Sequence, residues 1–173
     1  MILPIKDEKT ITASGELMID LLEGVSLYDG KVHVDERGSV CEMFNPDWGW
    51  NAEPMTYAYY TTVRPGKVKG WGVHELHEDR YFIVTGELEV VLYDDRPDSS
   101  TYRRISKIFL TDQKRQAINI PARVYHAIHN IGLVDALVCN FPTRIFDREN
   151  PDKHRLPIDT DLIPYSFGAS SGW

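Results

Sequence analysis

Short apolar and β-branched runs recur along most of this chain, separated by polar or turn-forming residues at intervals of roughly ten. Residues 56–63 read TYAYYTTV, aromatic and β-branched throughout. Residues 80–85 and 87–93 flank Gly86 and predict two strands around a turn. Further strands are predicted at 105–110, 117–120, 126–130 and 136–142, and earlier ones at 32–34 and 39–44. Turn chemistry falls between them, in Asp35-Glu36-Arg37-Gly38, Arg64-Pro65-Gly66 and 94–100. Such a series predicts an all-β sandwich or barrel. Helical pattern is scarce: one short turn is predicted at 16–23 and another at 147–154. The tail from 157 to 173 is irregular, with Tyr165 and Phe167 expected to pack back onto the barrel. Neither a repeat nor a linker interrupts the 173 residues, so one domain is expected over 1–173, with its core at about 20–145.

Composition narrows the class. A hydrophobic fraction of 42% and a charged fraction of 26% exclude disorder and low complexity. No apolar run approaches a membrane span, and the N-terminus turns charged at Lys6 without an apolar signal core. Cys41 and Cys139 form no disulfide framework. Together these predict a cytoplasmic, reduced protein with no membrane partner. A net charge of −7 and a pI near 5.3 disfavour nucleic-acid binding. They leave room for one anionic small ligand held by a few arginines.

Four of the six histidines fall in two tight pairs, His74 with His77 and His126 with His129. Each pair sits beside glycine or proline near a strand beginning, where the backbone is fixed or closely approached. Residues 72–86, followed by Pro121, His126 and Asn130, resemble the paired motifs of the cupin superfamily, a double-sheet jelly roll. Metal-binding cupins carry HxH, then a glutamate, then a second histidine. Here the spacing is HxxH, and residues three apart on a strand face opposite sides. Arg80 stands near the glutamate's place. No metal or other cofactor is therefore expected. The alternative is a metal-dependent isomerase or dioxygenase using His74, His77 and His126.

A fuller resemblance is to the dTDP-4-dehydrorhamnose 3,5-epimerase family, which are metal-free cupins. Asp35-Glu36-Arg37-Gly38 with Glu42 is similar to that family's D-x-R-G-x-x-x-E opening. Trp71-Gly72-Val73-His74 is similar to its R-G-L-H, and Ile120-Pro121 through His126 to its I-P-x-G-x-x-H. Residues 147–152 and 158–162 resemble its two closing segments, so the resemblance covers about 20–167. It implies a cupin jelly roll that pairs as a homodimer and acts on a nucleotide-activated 4-keto-6-deoxy sugar. The implied base is His74, oriented by Asp159, because a base of near-neutral pKa must take the proton beside the ketone. Arg37 is implied at the diphosphate. Glu42, Arg80, His126 and Asn140 are implied as substrate contacts, Arg80 being the charged candidate for the enolate oxygen.

Three departures stand out. Trp71 replaces the family's arginine, which makes it a candidate for stacking on the substrate. The family's glutamine-x-asparagine contact is missing from 56–60. Its proton-donating tyrosine falls on Cys139 or Asn140, depending on the direction of counting. Of these two only the thiol can donate a proton, so Cys139 is the candidate acid, against the plainer reading of a small core residue. A cupin that binds the sugar without turning it over is the third possibility.

Overall fold

The computed structural model describes residues 3–50, 53–168 and 170–172. Strands β1 (Ser26–Asp29), β2 (Val32–Asp35), β3 (Gly38–Cys41), β4 (Tyr59–Val63), β5 (Lys67–Val73), β6 (Asp79–Thr85) and β7 (Glu87–Asp94) lead into β8 (Ile105–Thr111). β9 (Gln116–Ile120), β10 (Val124–Asn130), β11 (Ala136–Asn140), β12 (His154–Arg155) and β13 (Ser171–Gly172) follow. One sheet runs β1-β9-β6-β11-β4 and the second β12-β5-β10-β7-β8, with β13 also on β5. This is the cupin jelly roll that the strand spacing and motifs predicted. β2 and β3 form a separate two-stranded hairpin.

The core lies between the sheets. Leu88, Val90 and Leu92 of β7, alternate residues, meet Ile83, Ile118 and Val138 from the facing sheet. The intervening Val91 and Tyr93 are also buried, because Ile163 and Phe167 of the C-terminal segment cover that outer face together with Trp71. Among the described residues no helix is long and apolar enough to cross a membrane.

Two local readings are corrected. Residues 16–23 are not helical: Met18 N–H donates to the Thr10 carbonyl and Thr12 N–H to the Glu16 carbonyl, closing a small hairpin around Gly15 at φ +88°. Residues 147–154 are not helical either. Asp147 accepts the N–H groups of Glu149 and Asn150, Pro151 removes a donor, and His154 begins β12. The helical turn among the described residues is a 3₁₀ turn at Pro46–Trp48, capped by Asn45. Strand β5 had no clear pattern in the sequence, since two glycines interrupt it. A side chain at Gly70 would place its Cβ 2.5 Å from that of Ala127, so the close approach of β10 requires glycine there.

Candidate functional site

At one end of the sandwich, side chains from both sheets converge on Asp79, the first residue of β6. Alternation turns Asp79, Tyr81 and Ile83 inward and Arg80 and Phe82 outward. His74 Nε2 and His126 Nε2 each lie 3.3 Å from Asp79 Oδ2, and the Tyr81 hydroxyl donates to the same oxygen at 3.1 Å. Asn140 of β11 donates its amide to Asp79 Oδ1 at 2.7 Å. Asp79 is 2% exposed. Burial opposes its ionisation, but the hydrogen bond from His74, the neighbouring imidazoles and the Asn140 amide outweigh burial and hold the carboxyl well below its ordinary range.

His74 follows β5 in a short loop shaped by Asp152. The Asp152 carboxylate accepts the N–H groups of Glu75 and Leu76, each at 2.9 Å, and His77 Nδ1–H at 2.8 Å. Its backbone carbonyl accepts His74 Nδ1–H. Arg123, at φ +66° in the turn before β10, donates its N–H to the His74 carbonyl at 2.6 Å. Residues 74–78 therefore leave the strand, and strand parity does not apply to HxxH. The His74 and His77 rings lie with centroids 4.0 Å apart, tilted by 31°, and face the same carboxylate, His77 Nε2 lying 3.8 Å from Asp79 Oδ1. Gly72 pairs in register with His126, and a Cβ there would sit 3.2 Å from His126 Nε2.

The imidazoles differ electrically. Burial disfavours the charged form of His74, but the Asp79 carboxylate and the Asp152 carbonyl overcome it and raise its pKa. His126 is pushed down to about 4, mainly by burial, and stays neutral. Burial, and then the charge on His74, lowers His77. His74 is thus the imidazole whose protonated form is favoured, by an ionised Asp79 beside it, while His126 and His77 are held toward the uncharged form. Two sets of donors, His74–Asp79–His126 and His74–His77–Asp152, each lie within 4.8 Å of one another and could hold a metal ion.

The cleft above Asp79 has two lobes. Tyr59 and Lys153 line both of them. One lobe continues past His74 and His77 to Arg144, the other past Gly72 and His126 to Lys69 and Arg155. Lys153 has its pKa lowered, by burial first and then by the charge of Arg155. Lys69 donates to Thr61 Oγ1 at 2.8 Å, joining β5 to β4 across the cleft.

Of the candidates from sequence, the fold brings His74, His126 and Asn140 together. Asp159 lies in an exposed turn of the C-terminal segment, and the partners of His74 are Asp79 and Asp152 instead. Arg80 points away from the cleft. Its guanidinium donates to the carbonyls of Phe141, Glu53 and Pro54 and lies over the Phe44 ring. Cys139 shares that outward face, packed against the Phe82, Ala117 and Phe141 cluster, with burial raising its thiol pKa. Trp71 is fully buried on the outer face of the second sheet against Tyr165 and Phe167. Arg37 and Glu42 are exposed on and after the β2–β3 hairpin, Arg37 paired with Asp35. The sequence reading assigned no role to Tyr81, Asp152 and Lys153, held Tyr59 only as an aromatic residue of the 56–63 strand, and passed over Asp79 for its neighbour Arg80. Extending the β6 prediction by one residue would have exposed the inward parity of Asp79 with Tyr81.

A family model described as "Polysaccharide biosynthesis C-terminal domain" matches residues 33–154. The chain is 34% identical over 149 residues to the probable low-salt glycan biosynthesis epimerase Agl13 of Haloferax volcanii, covering 86% of this chain and 96% of that one. It is 28% identical to the spore coat polysaccharide biosynthesis protein SpsL of Bacillus subtilis, covering 85% and 97% of the two. Its fold is similar to the crystal structure of a dTDP sugar isomerase from Desulfovibrio desulfuricans, with a TM-score of 0.80, 28% identity and coverage of 88% and 97%.

Proposed function

Since this chain belongs to the polysaccharide biosynthesis C-terminal domain family, we propose that it is a nucleotide-sugar epimerase, acting on a dTDP-4-keto-6-deoxy sugar in deoxysugar or polysaccharide biosynthesis. The observation that carries this reading is a histidine held against a buried, ionised carboxylate in a cleft bordered by cations. His74 Nδ1 is committed to the Asp152 carbonyl, which fixes its tautomer and leaves Nε2 to accept a proton from the carbon beside the ketone. Asp79 stabilises the imidazolium that results. Lys153 is placed to stabilise the enolate oxygen, and Lys69 and Arg155 beside it suit a diphosphate. The names of Agl13 and of the dTDP sugar isomerase support the same chemistry.

The test is solvent exchange. Incubated in D₂O with dTDP-4-keto-6-deoxyglucose, the protein is expected to wash deuterium into a carbon beside the ketone, read by proton NMR. dTDP binding without any wash-in would leave a sugar-binding cupin and overturn the epimerase.

One observation favours a second reading, the metal-dependent cupin. His74, His77 and His126 each donate Nδ1–H to an oxygen and turn Nε2 toward Asp79, the arrangement in which outer hydrogen bonds orient metal-ligating imidazoles. Elemental analysis after purification without chelator or nickel resin separates the two. One zinc, iron or manganese per chain, lost in His126→Ala, establishes the second reading; a metal-free protein that still washes in deuterium establishes the first.

The β2–β3 hairpin bonds to itself, with Val34 76% and Val40 67% exposed. We place a homodimer contact there, with Arg37 carried at its tip, because a lone hairpin with apolar faces gains stability by pairing. Sedimentation is expected to give the dimer mass, and Val34→Lys with Val40→Lys the monomer mass. Cys41 and Cys139 are unpaired, which suits the cytoplasm.

A further inference from the structure

Inversion needs a proton delivered to the face of the enolate opposite the base. His74 and His126 reach the cleft from the second sheet, His126 on β10 and His74 just after β5. The opposing wall is the edge strand of the first sheet, β4, and its first residue is Tyr59. We propose that Tyr59 is the acid of the epimerisation, giving its phenolic proton to the carbon that His74 deprotonates; the inference rests on the epimerase reading above.

The register carries it. Tyr59 pairs with Asn140 across β4 and β11, and Asn140 Nδ2 donates to the Tyr59 oxygen at 2.9 Å. An oxygen that accepts from Asn140 keeps its own O–H for a partner in the cleft, and the same amide supports the phenolate once that proton leaves. Asn140 also donates to Asp79, so one amide ties the acid's oxygen to the base's carboxylate. Burial, followed by the charge of Asp79, pushes Tyr59 up to about 12, so the phenol carries its proton at neutral pH. Tyr59 is 40% exposed, which opens a route for reprotonation from solvent. Tyr81 is spent on Asp79 and buried beneath it, and Cys139 faces the wrong way.

The step balances. His74 Nε2 takes the proton, and the C–H electron pair becomes the enolate double bond as the carbonyl electrons move to oxygen. The carbonyl then re-forms, and the carbon bonds to the Tyr59 proton on its other face. The phenolate takes a proton from solvent, and the imidazolium returns one to solvent.

The experiment compares wash-in with net inversion for wild type and Tyr59→Phe, in D₂O with dTDP-4-keto-6-deoxyglucose. Wash-in is expected to persist within about fivefold, because it needs only the base, while inversion falls about 10²–10⁴-fold. Inversion at the wild-type rate overturns the proposal. So does equal loss of wash-in and inversion with dTDP binding intact, which would make Tyr59 a wall of the cleft. If Tyr59→Phe does not fold, 3,5-difluorotyrosine installed at position 59 keeps the shape and makes the phenol more acidic. A changed inversion rate with unchanged wash-in then supports the proposal, and two unchanged rates overturn it. A wild-type protein that shows no wash-in at all overturns the epimerase reading and Tyr59 with it, whereas wild-type wash-in with normal inversion in Tyr59→Phe removes Tyr59 alone.

Discussion

Asp79→Asn is expected to slow deuterium wash-in about 10³–10⁴-fold while leaving dTDP binding within a few-fold. Asparagine keeps the shape and can still meet Asn140 and Tyr81, so the loss is one of charge. The carboxylate offsets the burial of His74 and keeps an imidazolium tenable there. Without it, the base must hold a proton in a buried site with no counter-charge, and the proton transfer climbs. Lys69 and Arg155, proposed above to meet the diphosphate, belong to β5 and β12 and keep their charge in Asp79→Asn, so nucleotide affinity is expected to be spared. The companion variant is Asp159→Asn, expected to wash in within twofold of wild type because residue 159 lies on an exposed turn. Normal activity in Asp79→Asn, or a collapse in Asp159→Asn, would restore the carboxylate that the sequence resemblance chose and remove Asp79 from the mechanism.

The contrast between these two aspartates shows what could be read from the chain. The jelly roll was legible because its strands are short, apolar on the inner face and separated by turn residues, a pattern that local sequence carries. Strand β5 was not legible, since Gly70 and Gly72 answer to the approach of β10 and the ring of His126, which are distant in sequence. His74, His126 and Asn140 were found because motif and strand position coincide. Asp79 was passed over through a boundary error of a single residue: with the strand begun at Arg80, the cation and not the acid was assigned to the cleft. The parity argument against His77 failed on its premise, because Asp152 pulls residues 74–78 out of the strand. Tyr59 and Lys153 reach the cleft from segments far apart in sequence. Only the sheet order brings them to His74, and no spacing along the chain encodes that order.

Residues 94–100, predicted from sequence as a turn, hold the second large effect. Asp94 is fully buried and accepts hydrogen bonds from Arg96 Nε and Nη2, each at 2.8 Å, and from the hydroxyls of Ser99 and Thr101, each at 2.6 Å. Thr101 Oγ1 in turn accepts Glu23 N–H, and Arg96 donates to the Glu23 carbonyl, so this carboxylate anchors both the β7–β8 connection and the segment before β1. Asp94→Ala strands these donors in a buried site and is expected to cost about 3 kcal/mol, in the range for removing one partner of a buried pair. For a chain of this size that lowers the melting temperature by roughly 6–12 °C. The acid dependence follows from the pKa. Burial opposes ionisation of Asp94, but the bonds from Arg96, Ser99 and Thr101 prevail and hold the carboxyl well below its unfolded value of about 4. A carboxyl depressed on folding gives its full stabilisation above the unfolded value, and loses it as the pH falls toward the folded one. Melts of wild type and Asp94→Ala should therefore differ by a constant amount from pH 7 to about 5, and the gap should close progressively below about pH 4. A gap that stays the same down to pH 2.5 would show that packing in the loop, and not the charge on Asp94, holds it in place.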